Sequence, residues 1–172
     1  MQPLTLTQLN ALDHATFVAQ LGFVFEGPPW IVERAWAARP FSSRDQLHQA
    51  LVAVLDAAAE EEQIALIRAH PDLVGRAALA GTLTPESTGE QAAAGLGSLS
   101  AEEIAAFNQS NHAYRERFGF PFVICARENK KASILAGFAA RLANSRSAEI
   151  QTALQEIAKI ARLRLLDGVQ PE

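Results

Sequence analysis

Apolar residues recur along most of the chain at steps of three and four, the spacing of helices that bury one face. Leu9, Leu12, Ala15, Phe17 and Leu21 predict a first helix, capped by Thr7 and stopped at Gly22. After the turn at Gly27-Pro28-Pro29, Trp30, Val32, Trp36 and Ala37 predict a second helix that Arg39-Pro40 ends, with both tryptophans as packing anchors. Ser43-x-x-Gln46 has the form of a capping box and opens a helix carrying Leu47, Leu51, Val54, Leu55 and Ala58. Glu60-Glu61-Glu62 suits the start of the next helix, where negative charge meets the positive end of the helix dipole. Ile64, Leu66 and Ile67 then lead to His70, where Pro71 disfavours helical geometry for the residue before it.

Ser100-x-x-Glu103 starts a long helix through Ile104, Phe107, Asn111, Tyr114 and Phe118, with Gly119 as its stop. Phe120-Pro121-Phe122-Val123-Ile124-Cys125 is too short for a full helix and reads as a buried extended segment. No second run of similar character is present to pair with it, so some of its amides need other partners, a bound polar ligand among them. Lys130 to Leu142 is an amphipathic helix, Asn144-Ser145-Arg146-Ser147 a turn, and Ser147 the cap of a last helix running to Asp167 with Gly168 past its end. The pattern predicts a single all-α domain over residues 1–172, of roughly seven or eight helices.

Composition narrows the function classes. At 172 residues and 49% hydrophobic content the chain has enough apolar surface for a sizeable core. A net charge of −4, with the signs interspersed, gives no electrostatic footprint for nucleic acid. No run approaches a membrane span, and the start Met1-Gln2-Pro3 lacks the basic and apolar regions of a signal peptide, so a cytoplasmic protein is expected. The one cysteine, Cys125, sits among Val123, Ile124 and Ala126 and reads as a buried thiol, although Arg127 beside it keeps an activated one open.

Candidate chemistry concentrates between His70 and Gln91. His70 is expected to project from a helix end, and histidine ordinarily titrates near neutrality. Ser87-x-x-Glu90 has capping-box form, which predicts a helix beginning at Ser87. Positions 87, 90 and 91 then share one face, so Ser87, Glu90 and Gln91 are either a polar constellation or, for the first two, only a cap. In the last helix Ile150, Leu154, Ile157, Ala161 and Arg164 form one stripe, and Arg162 falls about 140° away from Ile157 at 3.6 residues per turn. Arg164 therefore points inward and needs a partner, either a buried carboxylate or a ligand. His14, His48 and His112 show no metal-ligand spacing, which leaves no metal site.

His70-Pro71-Asp72-Leu73, Ser87-x-x-Glu90-Gln91, Phe118 through Arg127, and Arg164 within Ile160-Ala161-Arg162-Leu163-Arg164-Leu165 together resemble the 2-oxo-4-hydroxy-4-carboxy-5-ureidoimidazoline (OHCU) decarboxylase family of urate degradation. The resemblance spans nearly the whole chain, in order and in spacing. It implies an all-α homodimer without cofactor that converts the unstable ureidoimidazoline to S-allantoin with loss of carbon dioxide. It places His70 and Glu90 as the catalytic pair, with Pro71, Ser87, Gln91, Phe122, Val123, Ile124 and Arg164 around the substrate. Gln91 would offer both a donor and an acceptor, and Arg164 a planar fork. The end at Val169-Gln170-Pro171-Glu172 lacks the Ser-Lys-Leu peroxisomal address, and no hydroxyisourate hydrolase domain follows, so a stand-alone cytoplasmic enzyme is expected. Two rival readings remain: a helical scaffold whose polar residues are caps and ion pairs, and a metal-assisted hydrolase using His70 and Glu90.

Overall fold

Helix-period sequence becomes helix through most of the chain in the computed structural model, which describes residues 3–171. Met1, Gln2 and Glu172, the outermost residues of the expected 1–172 domain, lie outside the described residues. In order the α-helices are α1 (Leu6–Asn10), α2 (His14–Leu21), α3 (Trp30–Ala35), α4 (Arg44–Ala57), α5 (Glu60–Ala69), α6 (Arg76–Leu79), α7 (Pro85–Ala93), α8 (Ala101–Phe118), α9 (Lys131–Leu142) and α10 (Arg146–Gly168). Those with eight residues or more are α2, α4, α5 and α7 to α10, in line with the seven or eight that the periodicity predicts. Short 3-10 turns cover Trp36–Ala38 and Ala126–Glu128. The protein is all-α apart from a two-residue parallel pairing of β1 (Leu4–Thr5) with β2 (Val169–Gln170), in register Leu4 to Val169.

Contacts divide the chain into two compact units, one running to Gln63 and resuming at Ala158, the other covering Ile64–Ile157. In the first, α3 packs on α4, and Phe17, Leu21, Ile31, Leu47, Leu51 and Leu55 are closed from water. In the second, α8 packs on α9 around Phe107, Tyr114, Phe122, Ile134 and Phe138. The Phe122 and Phe138 rings stack with centroids 3.9 Å apart. Full burial of one such side chain contributes about 1.5–3 kcal/mol, so the aromatic cluster anchors the extended segment through Phe122.

Three boundaries differ from the sequence expectation. The first helix is two helices: Thr5, not Thr7, caps α1 in a box with Gln8, and Asp13 caps α2 by accepting from the Thr16 N–H at 2.9 Å. An Asp held in extended geometry (φ −71°, ψ 166°) breaks a run that its apolar neighbours would continue. At α10 the cap is Ser145, whose hydroxyl accepts from the Ala148 N–H at 3.1 Å, and Gly168 is the helix's last residue rather than the one beyond it. The third boundary, at α7, bears on the candidate site. Ser43 and Ser100 cap as expected, and Gly119 ends α8 in the left-handed conformation (φ 78°) that glycine adopts without a Cβ clash.

Candidate active site

The helix preceding Pro71 ends at Ala69, and His70 sits just past it, 7% exposed. Its Nδ1 lies 2.9 Å from the carbonyl of Leu66, one turn back. A carbonyl only accepts, so Nδ1 carries a proton and donates it there. Burial and this bond fix the ring's plane. Asp72 follows, paired with Arg115 of α8 at 2.9 Å, and Val74 stands at φ 54°. A β-branched residue in that region is a genuine outlier, strained by about 1–3 kcal/mol, and such strain clusters at functional sites. Gly75 closes the turn, where a Cβ would come within 2.6 Å of the Asp72 Cβ.

Thr84, three residues earlier than expected, is the N-cap of α7: its hydroxyl accepts from the Ser87 N–H at 3.2 Å and Pro85 takes the first helical position. Ser87-x-x-Glu90 is therefore not a capping box. Both side chains lie inside the helix, and the reading of them as a cap is overturned. Ser87 and Gln91 are 5% and 7% exposed, and Glu90 between them is half-buried, while Thr88 and Gly89 face water. A helix face that buries a hydroxyl and an amide, with a carboxylate at its edge, needs polar partners. For Gln91 one is the Val74 N–H, which donates to Oε1 at 3.0 Å. Gln91 thereby differs from expectation: its acceptor is taken, and its Nε2 is the group left to donate.

Phe122 and Val123 are buried in the extended segment and Ile124 is half-buried. None of these three N–H groups donates to a partner among the described residues. Behind the segment, Arg141 donates from Nη1 to the Val123 carbonyl at 2.7 Å and from Nε to Glu149 at 2.7 Å, while the Tyr114 hydroxyl donates to the same carboxylate at 2.5 Å. Glu149 is wholly buried, so this closed network satisfies an ion that would otherwise be very costly to desolvate. Pro121 through Cys125 is thus held by its backbone without strand pairing.

The Cys125 N–H donates to the Glu156 carboxylate at 3.0 Å. Burial first, then the negative charges of Glu128, Glu156 and Glu90, push the Cys125 thiol up to about 11. The structure therefore favours the inert thiol over the activated one. In the folded protein Cys125 is expected to resist iodoacetamide at pH 8 and to react once the protein is unfolded in guanidinium, as mass spectrometry would read. Rapid alkylation of the native protein would contradict this.

Arg164, in the other unit, is 4% exposed on the stripe of Ile150, Leu154, Ile157 and Ala161. Its Nη2 donates to Glu26 at 3.1 Å and its Nη1 to the Phe23 carbonyl at 3.1 Å. The inward arginine has its buried carboxylate. Arg162 lies in water beside Asp45 at 3.3 Å, as the helical wheel requires. His14 meets Trp36 edge to face, His48 bonds the Ala158 carbonyl at 2.8 Å, and His112 is exposed. Among the described residues no group of three or more His, Cys, Asp or Glu side chains gathers as a metal site would require.

Sequence reasoning missed Glu26, Asn111, Arg141 and Glu156 as polar residues that hold these elements. The first stood out as a lone carboxylate after Phe23-Val24-Phe25, and Asn111 as an amide on an apolar stripe; both signals were legible.

The family model described as OHCU decarboxylase matches residues 10–166. The 2-oxo-4-hydroxy-4-carboxy-5-ureidoimidazoline decarboxylase of Haloferax volcanii is 43% identical over 172 residues, covering the whole of both chains. That of Amia calva is 43% identical over 165 residues, 96% of this chain and 94% of the relative. Among solved structures, an (S)-allantoin synthase aligns with a TM-score of 0.77 at 27% identity, over 98% of this chain, which spans 54% of that longer one.

Proposed function

The chain belongs to the OHCU decarboxylase family, and from that premise we infer that it decarboxylates 2-oxo-4-hydroxy-4-carboxy-5-ureidoimidazoline to S-allantoin and carbon dioxide in urate degradation. The observation that carries this reading is the full-length match, 43% identical over 172 residues, to a protein named for that substrate. The whole chain, 1–172, acts as one decarboxylase domain. A homodimer in the cytoplasm fits the family resemblance, and the single, buried cysteine fits a reducing compartment. Among the described residues no helix is long and apolar enough to cross a membrane.

The chemistry asks for little beyond placed hydrogen bonds. When the carboxylate leaves as carbon dioxide, its bonding pair moves toward the carbon bearing the hydroxyl and on to the neighbouring ring C=N, whose nitrogen takes up a proton. The resulting enol gives up its hydroxyl proton while the ureido-bearing carbon gains one, which yields allantoin. Donors fixed in advance around the developing negative charge lower the barrier most in a water-poor site. His70, buried with Nδ1 engaged by Leu66, serves as acid and base through Nε2. Glu90 orients the imidazole or the substrate hydroxyl. Ser87 and the Gln91 Nε2 donate to ring or ureido oxygens, Pro71 and the Phe122, Val123 and Ile124 backbone line the substrate, and Arg164 supplies a fork for anionic oxygen.

The direct test generates the intermediate in situ from urate and follows its optical decay with and without the protein, with chiral detection of the product. Faster decay to S-allantoin is expected; decay at the uncatalysed rate would overturn the decarboxylase reading. Turnover is also expected to survive exhaustive chelation, because the proposed mechanism uses side-chain and backbone donors alone. Loss on chelation, restored by zinc or another divalent ion, would overturn that mechanism.

A further inference from the structure

We propose that Asn111 is a positioning residue for the reaction: it clamps the Leu73–Val74 peptide in the orientation that makes the Gln91 Nε2, rather than Oε1, the group offered to substrate. This rests on the placement of Gln91 at the substrate. A peptide group has one acceptor and one donor. Here two buried amide side chains take both ends of the same group. Asn111, 5% exposed on α8, donates from Nδ2 to the Leu73 carbonyl at 2.8 Å, and the Val74 N–H donates to Gln91 Oε1 at 3.0 Å.

The clamp is needed because the peptide has a better place to go. Val74 stands at φ 54°, a conformation disfavoured for a β-branched residue. Turning the peptide over would relieve that strain, but it would also aim the Leu73 carbonyl at Gln91. A carbonyl cannot accept from Oε1, so the Gln91 amide would have to turn and spend Nε2 on the backbone, which leaves its oxygen outward. A site for developing negative charge would then present an acceptor where it needs a donor. Asn111 could follow such a turn only by rotating its own amide, which would put the Nδ2 donors into the buried place where Oδ1 now stands without a partner, so the Asn111 bond resists the turn against a strain at Val74 of similar size. The Asp72–Arg115 pair fixes the chain just before this peptide but does not touch it.

The proposal therefore predicts coupling between Asn111 and the strain at Val74. Glycine adopts positive φ readily, so Val74→Gly removes the drive to turn over. Steady-state kinetics of Asn111→Ala, Val74→Gly and the double variant on freshly generated intermediate, each checked by circular dichroism and melting, measure it. Asn111→Ala is expected to lower kcat/KM about fivefold in the parent and less than about twofold in the Val74→Gly background, a coupling that a purely structural asparagine would not show. Asn111→Leu is close in volume and has no donor, repeats the comparison without a large void in the core, and decides the matter should the alanine variant unfold. Unchanged kcat/KM for Asn111→Ala, or an equal loss in both backgrounds, overturns the proposal. An inactive parent overturns the decarboxylase reading instead, and an impaired Gln91→Ala beside an unimpaired Asn111→Ala removes this proposal alone.

Discussion

His70→Ala is expected to lower turnover of the ureidoimidazoline by about a hundredfold or more, the scale of a lost acid/base, while helical circular dichroism stays close to the parent's. The expectation comes from the way the ring is held. Its Nδ1 donates to the Leu66 carbonyl at 2.9 Å, which fixes the plane of the ring and turns Nε2 away from that carbonyl. The ring is 7% exposed and sits at a helix end, where it satisfies a backbone carbonyl. Removing the ring leaves one carbonyl short of a donor, about 1–3 kcal/mol of stability, and a void that adds to it, so the melting transition falls while the helices remain. Stopped-flow measurement of the intermediate's decay separates the loss of rate from this loss of stability. A variant that turned over at the parental rate would return His70 to a structural role and move the acid/base elsewhere, with Glu90 the next candidate on the buried face of α7.

Much of the fold was legible because amphipathic periodicity and capping chemistry point the same way. Ser43 and Ser100 each sit directly before an apolar stripe, and each caps a helix there. Errors arose where two local signals competed within a few residues. Thr5 and Thr7 both precede apolar positions, but only Thr5 has Gln8 at the spacing that closes a box. At α7 two starts overlap, Thr84-Pro85 and Ser87-x-x-Glu90. The earlier one wins because proline is compatible with the first helical position and the extra turn adds backbone hydrogen bonds. The earlier start decides between the two readings the sequence left open for Ser87 and Glu90, which are interior helix positions and not a cap. The clamp on the Leu73–Val74 peptide and the Arg141–Glu149–Tyr114 network behind Val123 were not legible at all. Each joins residues far apart in sequence through single polar atoms, and no periodicity records such a pairing.

Arg164→Lys is expected to lower kcat/KM at least about tenfold, equal to about 1.4 kcal/mol of transition-state stabilisation, whereas Arg162→Lys should be nearly silent, within about 0.5 kcal/mol as ordinary surface changes are. Both exchanges conserve charge, so the contrast isolates geometry. At 4% exposure the Arg164 guanidinium is a plane fixed by two bonds, Nη1 to the Phe23 carbonyl and Nη2 to Glu26, each 3.1 Å long. An ammonium can approach Glu26 and keep that buried carboxylate from standing alone, which spares most of the stability that outright truncation would forfeit, about 3–5 kcal/mol. It cannot hold the same plane, and a flexible point charge presents no fork to an anionic oxygen. Arg162 has nothing comparable to lose: it reaches Asp45 at 3.3 Å with both side chains more than half in water. If Arg164 serves only its ion pair with Glu26, the lysine variant should melt lower yet turn over normally. If it serves the substrate, kcat/KM must fall further than the change in melting accounts for, and kinetics and melting on the same two proteins decide between these outcomes.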